Sequence, residues 1–257
     1  MRWFALPLAL ALAFLVLPVL AIFLDSPPGE LLDALGEPGA LDALWLSLRT
    51  SVTALAIIVV VGTPAAYLLA TRRFRGRALL ITLIELPLVL PPAVAGIALL
   101  AALGPSGILG GALEDAGIQL TFETAGVVVA LTFVASPYYL RQAQASFGAL
   151  DRSWLDASRT LGASPARTFA RIAIPTAAPG LVTGGALAFG RALGEFGATL
   201  MFAGSLAGIT QTAPLAIYER FATDFEAALA LSAVLVAVSA AILLSVKFFE
   251  GSALRHD

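Results

Sequence analysis

The sequence predicts an all-α integral membrane protein, a single domain over residues 1–257 with six transmembrane helices and one long helical connection on the cytoplasmic side. Three observations carry this. Hydrophobic residues make up 59% of the chain and charged residues only 12%, with a mean hydropathy of +0.93, more apolar surface than one soluble core of this length hides. The apolar residues fall into runs of roughly bilayer length. The connections between those runs alternate in charge.

In chain order the spans are expected near residues 3–24, 42–70, 79–103, 125–147, 177–203 and 226–249, each close to the ~20 residues that cross a bilayer. Helices satisfy their own backbone in lipid, whereas an isolated strand leaves polar groups unpaired. The first run, Trp3 to Leu24 behind Arg2, exceeds the ~7–15-residue apolar core of a signal peptide and is expected to stay as a span. Residues 25–41 carry Asp25, Glu30, Asp33 and Glu37 without one Lys or Arg, while residues 71–78 carry Arg72, Arg73, Arg75 and Arg77. Residues 104–124 return to acids alone, Glu114, Asp115 and Glu123. Residues 148–176 then bring Arg152, Arg159, Arg167 and Arg171, and the tail brings Lys247 and Arg255. By the positive-inside rule this is a multi-pass protein of the plasma or inner membrane, with both termini and the 148–176 connection in the cytoplasm.

What the chain lacks narrows its function. It has no cysteine and one histidine, His256, so neither a disulfide nor a thiolate or imidazole metal site is expected. No basic tract of the kind that binds nucleic acid is present. There is no Gly-x-x-x-x-Gly-Lys phosphate loop, so ATP has to be handled by another chain. No connection is long enough to hold a catalytic domain, and no enzyme is expected. No internal repeat is evident, which counts against carriers built from inverted repeats.

Span three contains Glu85-Leu86-Pro87-Leu88-Val89-Leu90-Pro91-Pro92. Its prolines remove helical hydrogen bonds and must bend or unwind the helix. Inside a membrane such a break persists where protein or water satisfies the freed carbonyls, so a pore-lining hinge and a structural kink are both open. Span five carries small residues at four-residue spacing, Ala186, Gly190, Gly194 and Ala198, with Gly180, Gly184 and Ala188 on a second row; both rows predict close helix contact. Arg191 and Glu195 stand one turn apart on the same span and are expected to neutralise one another. A structural ion pair, extended by Arg49 or Glu85, and a direct role along an anion pathway are both compatible with this pattern.

The most informative stretch is the connection at residues 151–175. Ser153 is expected to cap a helix, with Asp156 three residues on reaching back to its amide. Gly162 ends that helix, Ser164 caps a second, and Pro165 takes its first position, where a missing N–H costs nothing. Two short helices at an angle should result. Ala157, Ser158, Gly162 and Ala163 would form a shallow knob open to a partner, rimmed by Arg159, Arg167 and Arg171. Each arginine alone is equally served by the topology, and Asp156 by its capping role.

This connection resembles the EAA loop of ABC importer permeases, whose pattern is Glu-Ala-Ala, a Gly six residues after the Glu, and Ile-x-Leu-Pro at the close. Here those positions hold Asp156, Ala157, Ser158, Gly162, Ile172, Ile174 and Pro175. The run FGRALGEFGATLMFAG at 189–204, TQTAPLAIY at 210–218 and LPLVLPPAVAG at 86–96 resemble permeases for molybdate and tungstate, and less closely those for sulfate. The resemblance implies a type I ABC importer permease that works as a homodimer, with two copies of an ATPase subunit inside and an oxyanion-binding protein outside. ATP and magnesium would be used by the ATPase, and this chain would bind no cofactor. Residues Asp156, Ala157, Ser158, Arg159, Gly162, Ala163, Ser164 and Pro165 would couple to the ATPase. Glu85, Pro87, Pro91, Pro92, Arg191, Glu195 and Thr199 would be candidates for the pathway or its gate, and Gly204 to Asp224 would dip into the outer mouth. The competing expectations are sulfate import, an autonomous carrier or channel, and a structural scaffold.

Overall fold

The computed structural model describes residues 2–25, 27, 29, 33 and 35–253. Glu30, Arg255 and His256, which entered the sequence reading, lie outside the described residues. The regular elements among the described residues are all helical. They are α1 (Arg2–Leu24), α2 (Ala40–Thr71), α3 (Arg77–Val89), α4 (Pro92–Leu103), α5 (Gly110–Asp115), α6 (Thr124–Gly148), α7 (Arg152–Thr160), α8 (Pro165–Thr168), α9 (Ile174–Leu193), α10 (Gly197–Ala203), α11 (Ala213–Phe221) and α12 (Phe225–Ala253).

Four stretches are long and apolar enough to cross a membrane: Leu6–Leu24, Ala40–Thr71, Pro165–Leu193 and Phe225–Ile242. A fifth is made by α3 and α4 together, which meet at a break where the chain turns by 119°. The break falls where expected. Leu90, extended as the residue before a proline prefers to be, closes α3, and Pro91 and Pro92 open α4. Helix α6 is long enough to span but carries Thr132, Ser136, Arg141, Gln142 and Gln144, and these lower its apolar content.

The core is a three-helix contact among α2, α6 and α9. Tyr139 of α6 sits between Gly62 of α2 and Gly184 of α9, each so close that a Cβ there would lie 3.1–3.3 Å from Tyr139 or Gln142. The Thr63 hydroxyl donates to Val59 O at 2.6 Å, which leaves Tyr139 to donate to Thr63 Oγ1 across 2.6 Å. Small residues thus allow the approach, and one buried hydrogen bond sets its register. The two small-residue rows pack differently. Gly180 and Gly184 face α6 and Ala188 is buried, whereas in the other row Gly190 has nothing within 4 Å of where its Cβ would be and Ala198 is buried against Gly96 of α4. On the far side α1 packs against α12, and none of its residues from Leu6 to Leu24 is buried.

Span five differs from its expected 177–203. Its helix starts at Pro165, runs through a π-turn at Phe169–Ala173, and ends at Leu193. The second loop helix and span five are therefore one rod. Residues 194–196 then break the chain, and α10 starts afresh at Gly197. This short helix lies on α4 with almost no gap: a Cβ on Gly96 would be 2.6 Å from Met201 Cβ, and one on Gly197 2.8 Å from Pro92 Cβ.

Candidate coupling surface and pathway

On the connection at residues 151–175, α7 begins two residues earlier than a capping box at Ser153 places it. Asp151, not Ser153, is its N-cap, and Asp151 Oδ1 accepts the Ser153 N–H at 2.9 Å. That backbone hydrogen bond, assisted by the Ser153 side chain, holds the Asp151 carboxyl below the usual carboxylate range. Asp156 does not reach back to the helix start; it faces Arg159 at 3.4 Å on the exposed side. An aspartate at the true cap is favoured by the helix dipole as well as by the hydrogen bond, which explains the shift.

The other loop signals place as expected. Gly162 takes φ +80, its N–H bonds Arg159 O at 2.9 Å, and the Ala163 N–H bonds Ser158 O at 3.0 Å. This pair is the Schellman closure that a left-handed glycine permits. Ser164 Oγ accepts the Arg167 N–H at 3.3 Å, with Pro165 at the first helical position. Asp156, Ala157, Arg159, Gly162, Ser164 and Pro165 are exposed and Ala163 is half-buried.

Ser158 corrects the knob. It is buried, donates to Leu155 O at 3.1 Å, and meets the buried Thr168 hydroxyl at 2.7 Å. Its role is to join α7 to α8 rather than to face a partner. The outward stripe is formed by residues the sequence reading passed over: Trp154, 55% exposed, and Leu161, 88% exposed, which flank Ala157 at three- and four-residue spacing. A signal for them existed in the two large apolar side chains of an otherwise charged segment. The opposite face is anchored in the core by Leu155. Below it, Phe169 packs on Tyr67 with ring centroids 4.8 Å apart, and Tyr67 packs edge-on to Phe147 at 5.3 Å. The loop is thereby tied to α2, α6 and α9 at once.

The pathway candidates divide into two groups. Glu85 pairs with Arg141 of α6 at 3.2 Å. It does not extend the Arg191–Glu195 pair, and neither does Arg49, which is exposed and makes no ion pair among the described residues. Pro87 lies within α3, and Pro91 and Pro92 form the break. The second group gathers where α9 gives way to α10. Arg191 is on α9, but Glu195 is not on the same helix; it occupies the break, because Gly194 ends α9. Glu195 is 1% exposed, and its Oε1 accepts the Ala198 N–H at 2.7 Å. Its Oε2 lies 2.5 Å from Arg191 Nη2 as an ion pair without an aligned hydrogen bond. A carboxylate this deeply buried is tolerated because a cation and a backbone amide replace its water. Thr199, next along, is fully buried, and its hydroxyl has no hydrogen-bond partner among the described residues.

Outside this junction, Phe122 adopts φ 61 and lays its ring against Gly204, while Thr124 Oγ1 donates to Ile209 O at 2.8 Å. Farther along, the Ala213 N–H bonds Ser47 Oγ at 2.7 Å, fixing the start of α11 to α2. Arg220 of α11 pairs with Glu37 before α2. Gly204 to Asp224 is thus a turn followed by the short helix α11 and held at both ends.

A family model described as "Binding-protein-dependent transport system inner membrane component" matches residues 58–252. The chain is 43% identical over 245 residues to "Molybdenum transport system permease protein ModB" of Mycobacterium tuberculosis, covering 95% of this chain and 93% of that one. It is 33% identical to "Sulfate transport system permease protein CysT" of Salmonella typhimurium, over 96% of this chain and 92% of that one. Among solved structures, a bacterial ABC transporter involved in the import of the acidic polysaccharide alginate superposes with a TM-score of 0.77. That alignment covers 98% of this chain and 94% of the other at 15% identity, a likeness of fold alone.

Proposed function

Because the chain belongs to the family of binding-protein-dependent transport system inner membrane components, we propose that it is the membrane subunit of an ATP-driven importer of molybdate and tungstate. The observation that carries this reading is the 43% identity, over nearly the whole of both chains, to a molybdenum transport permease. The chain is a transport subunit rather than an enzyme, and ATP with magnesium is used by a separate ATPase chain. Sulfate is the second reading, favoured by the 33% identity to a sulfate permease.

In the working assembly two copies of the chain face each other in the plasma or inner membrane, with two ATPase subunits inside and an oxyanion-binding protein outside. Six crossings are assigned to α1, α2, the broken α3–α4 pair, α6, the α8–α9 rod and α12, with both termini in the cytoplasm. The knob of Trp154, Ala157 and Leu161, rimmed by Asp156, Arg159 and Arg167, seats in the ATPase. Closure of the ATPase on nucleotide moves that knob. The Ser158–Thr168 bond and the Phe169 cluster pass the motion into α9, and α9 carries it to the α10–α4 contact that closes the pathway. Molybdate and tungstate are tetrahedral dianions of like size, so the choice between them rests with the external binding protein. Parallel uptake of molybdate, tungstate and sulfate into vesicles holding the complete assembly tests the substrate. Robust sulfate uptake with neither metal oxyanion moved would select the second reading.

A further inference from the structure

The junction between α9 and α10 holds unspent hydrogen-bond donors around one buried acid. The Arg191 guanidinium has five N–H groups, yet among the described residues its only partner is Glu195 Oε2, in a contact that is not an aligned hydrogen bond. Arg191 remains 25% exposed while Glu195 is 1% exposed. One turn on, the same side of α9 is open, since a Cβ on Gly194 would meet only the Gly190 carbonyl of its own helix. The Thr199 hydroxyl follows Ala198, the residue whose amide Glu195 holds, and is buried without a partner.

A buried acid is an unexpected residue for an anion route, and its two oxygens show what it does. Oε1 is committed to the first turn of α10, and Oε2 neutralises Arg191. At rest the junction carries no net charge, so nothing there traps an anion. A dianion at the same distance attracts the guanidinium about twice as strongly as a carboxylate does, and the planar fork matches an oxyanion with two parallel N–H bonds. A transport site has to bind well enough to admit its ion and weakly enough to release it. A carboxylate that reclaims the arginine after each passage satisfies both demands.

Resting on the oxyanion reading above, we propose that Glu195 is a placeholder for the transported dianion: it positions Arg191 at the start of α10 and yields it to the tetrahedral oxyanion in transit, with the Thr199 hydroxyl as a second donor. Arg191 is then the residue that touches the cargo, and Glu195 is a positioning residue that acts through it. Because Glu195 also holds the amide end of α10, the exchange occurs where α10 rests on α4, and passage is coupled to that contact.

Glu195→Gln separates the two roles, because its amide oxygen can keep the Ala198 bond while its charge no longer competes for Arg191. The chain carrying Glu195→Gln, purified in detergent, is expected to bind radiolabelled molybdate about ten-fold or more tightly than wild type, the scale of one charge-assisted hydrogen bond gained. In vesicles with ATPase and binding protein, the same variant should lose about ten-fold in maximal uptake rate as release slows. A merely structural acid would not produce a gain in binding. Unchanged binding and uptake in Glu195→Gln would overturn the exchange. If Glu195→Gln fails to assemble with the ATPase, Arg191→Lys decides, because it keeps the charge and loses the fork. Lowered uptake with normal assembly supports the proposal, and wild-type uptake overturns it. A wild-type assembly that moves none of molybdate, tungstate and sulfate would overturn the substrate reading and the exchange together, whereas wild-type transport with an indifferent Glu195→Gln overturns the exchange alone.

Discussion

Ser158 and Thr168 share a buried hydrogen bond of 2.7 Å across the Gly162 turn, and this contact joins α7 to the start of the α8–α9 rod. Ser158→Ala leaves the Thr168 hydroxyl without its buried acceptor, at a cost of about 1–3 kcal/mol. The loop should loosen while insertion stays intact. Limited trypsin digestion, read at Arg159 and Arg167, is expected to run several-fold faster in Ser158→Ala than in wild type.

The apolar stripe on the outer face of α7 makes a separate prediction. Trp154 and Leu161 are the large side chains exposed there, and a buried aromatic anchor at an interface carries about 2 kcal/mol or more when truncated. Trp154→Ala should weaken association with the ATPase by ten-fold or more and Leu161→Ala by somewhat less, with the fold of the permease unchanged. Copurification and a binding titration would show this. Equal binding by both variants would remove the stripe from the coupling surface.

Much of this loop was legible in the sequence because its punctuation is local. Gly162 and Ser164-Pro165 each dictate a backbone conformation by their own chemistry, and the structure places them so. Asp151 and Ser153 are both good caps two residues apart, and pattern alone does not choose between them. The π-turn at Phe169–Ala173 and the continuity of Pro165 with span five depend on Phe169 finding Tyr67 and Phe147, partners about one hundred and about twenty residues away in the chain. The break at Glu195 was hidden for a different reason. Apolar residues continue on both sides, so hydropathy reads straight through it, and only the buried acid bonding the Ala198 amide marks a new helix start. The prolines of span three announced their break because Pro91 and Pro92 in succession remove helical hydrogen bonds, although Pro87 alone is accommodated within α3.

The seat of α10 on α4 should tolerate no added volume. A Cβ on Gly96 would press on Met201 Cβ and on the Ala198 carbonyl at 2.6 and 2.7 Å, so Gly96→Ala is expected to destabilise by about 1–3 kcal/mol through overpacking. Gly111, with nothing within 4 Å of its would-be Cβ, is the control, and Gly111→Ala should fall within about 0.5 kcal/mol of wild type. Thermal unfolding in detergent compares the two. Equal melting of Gly96→Ala and wild type would mean that α10 is not seated as described.

Asp151 gives the loop a dependence on acid. Its carboxyl is held below its unfolded value by the Ser153 amide, so the cap contributes fully above the unfolded value and is lost as pH falls through the folded one, below about pH 4. Protection of the first-turn amides of α7 against exchange, taken relative to their intrinsic rates, should therefore fall in that acidic window and stay level above it. Asp151→Asn keeps an acceptor and should abolish this pH dependence of protection, whereas Asp151→Ala should show low protection at every pH.

The central claim is that this chain moves an oxyanion only when a separate ATPase drives it through the α7 knob. The most direct measurement is molybdate uptake into vesicles containing the chain with its ATPase and binding protein, with ATP present or withheld and with Ala157→Arg in parallel. The account predicts uptake that requires ATP and the ATPase chain and is abolished in Ala157→Arg while the variant still inserts. Uptake by the chain alone, down a gradient and without ATP, would contradict it and identify an autonomous carrier or channel.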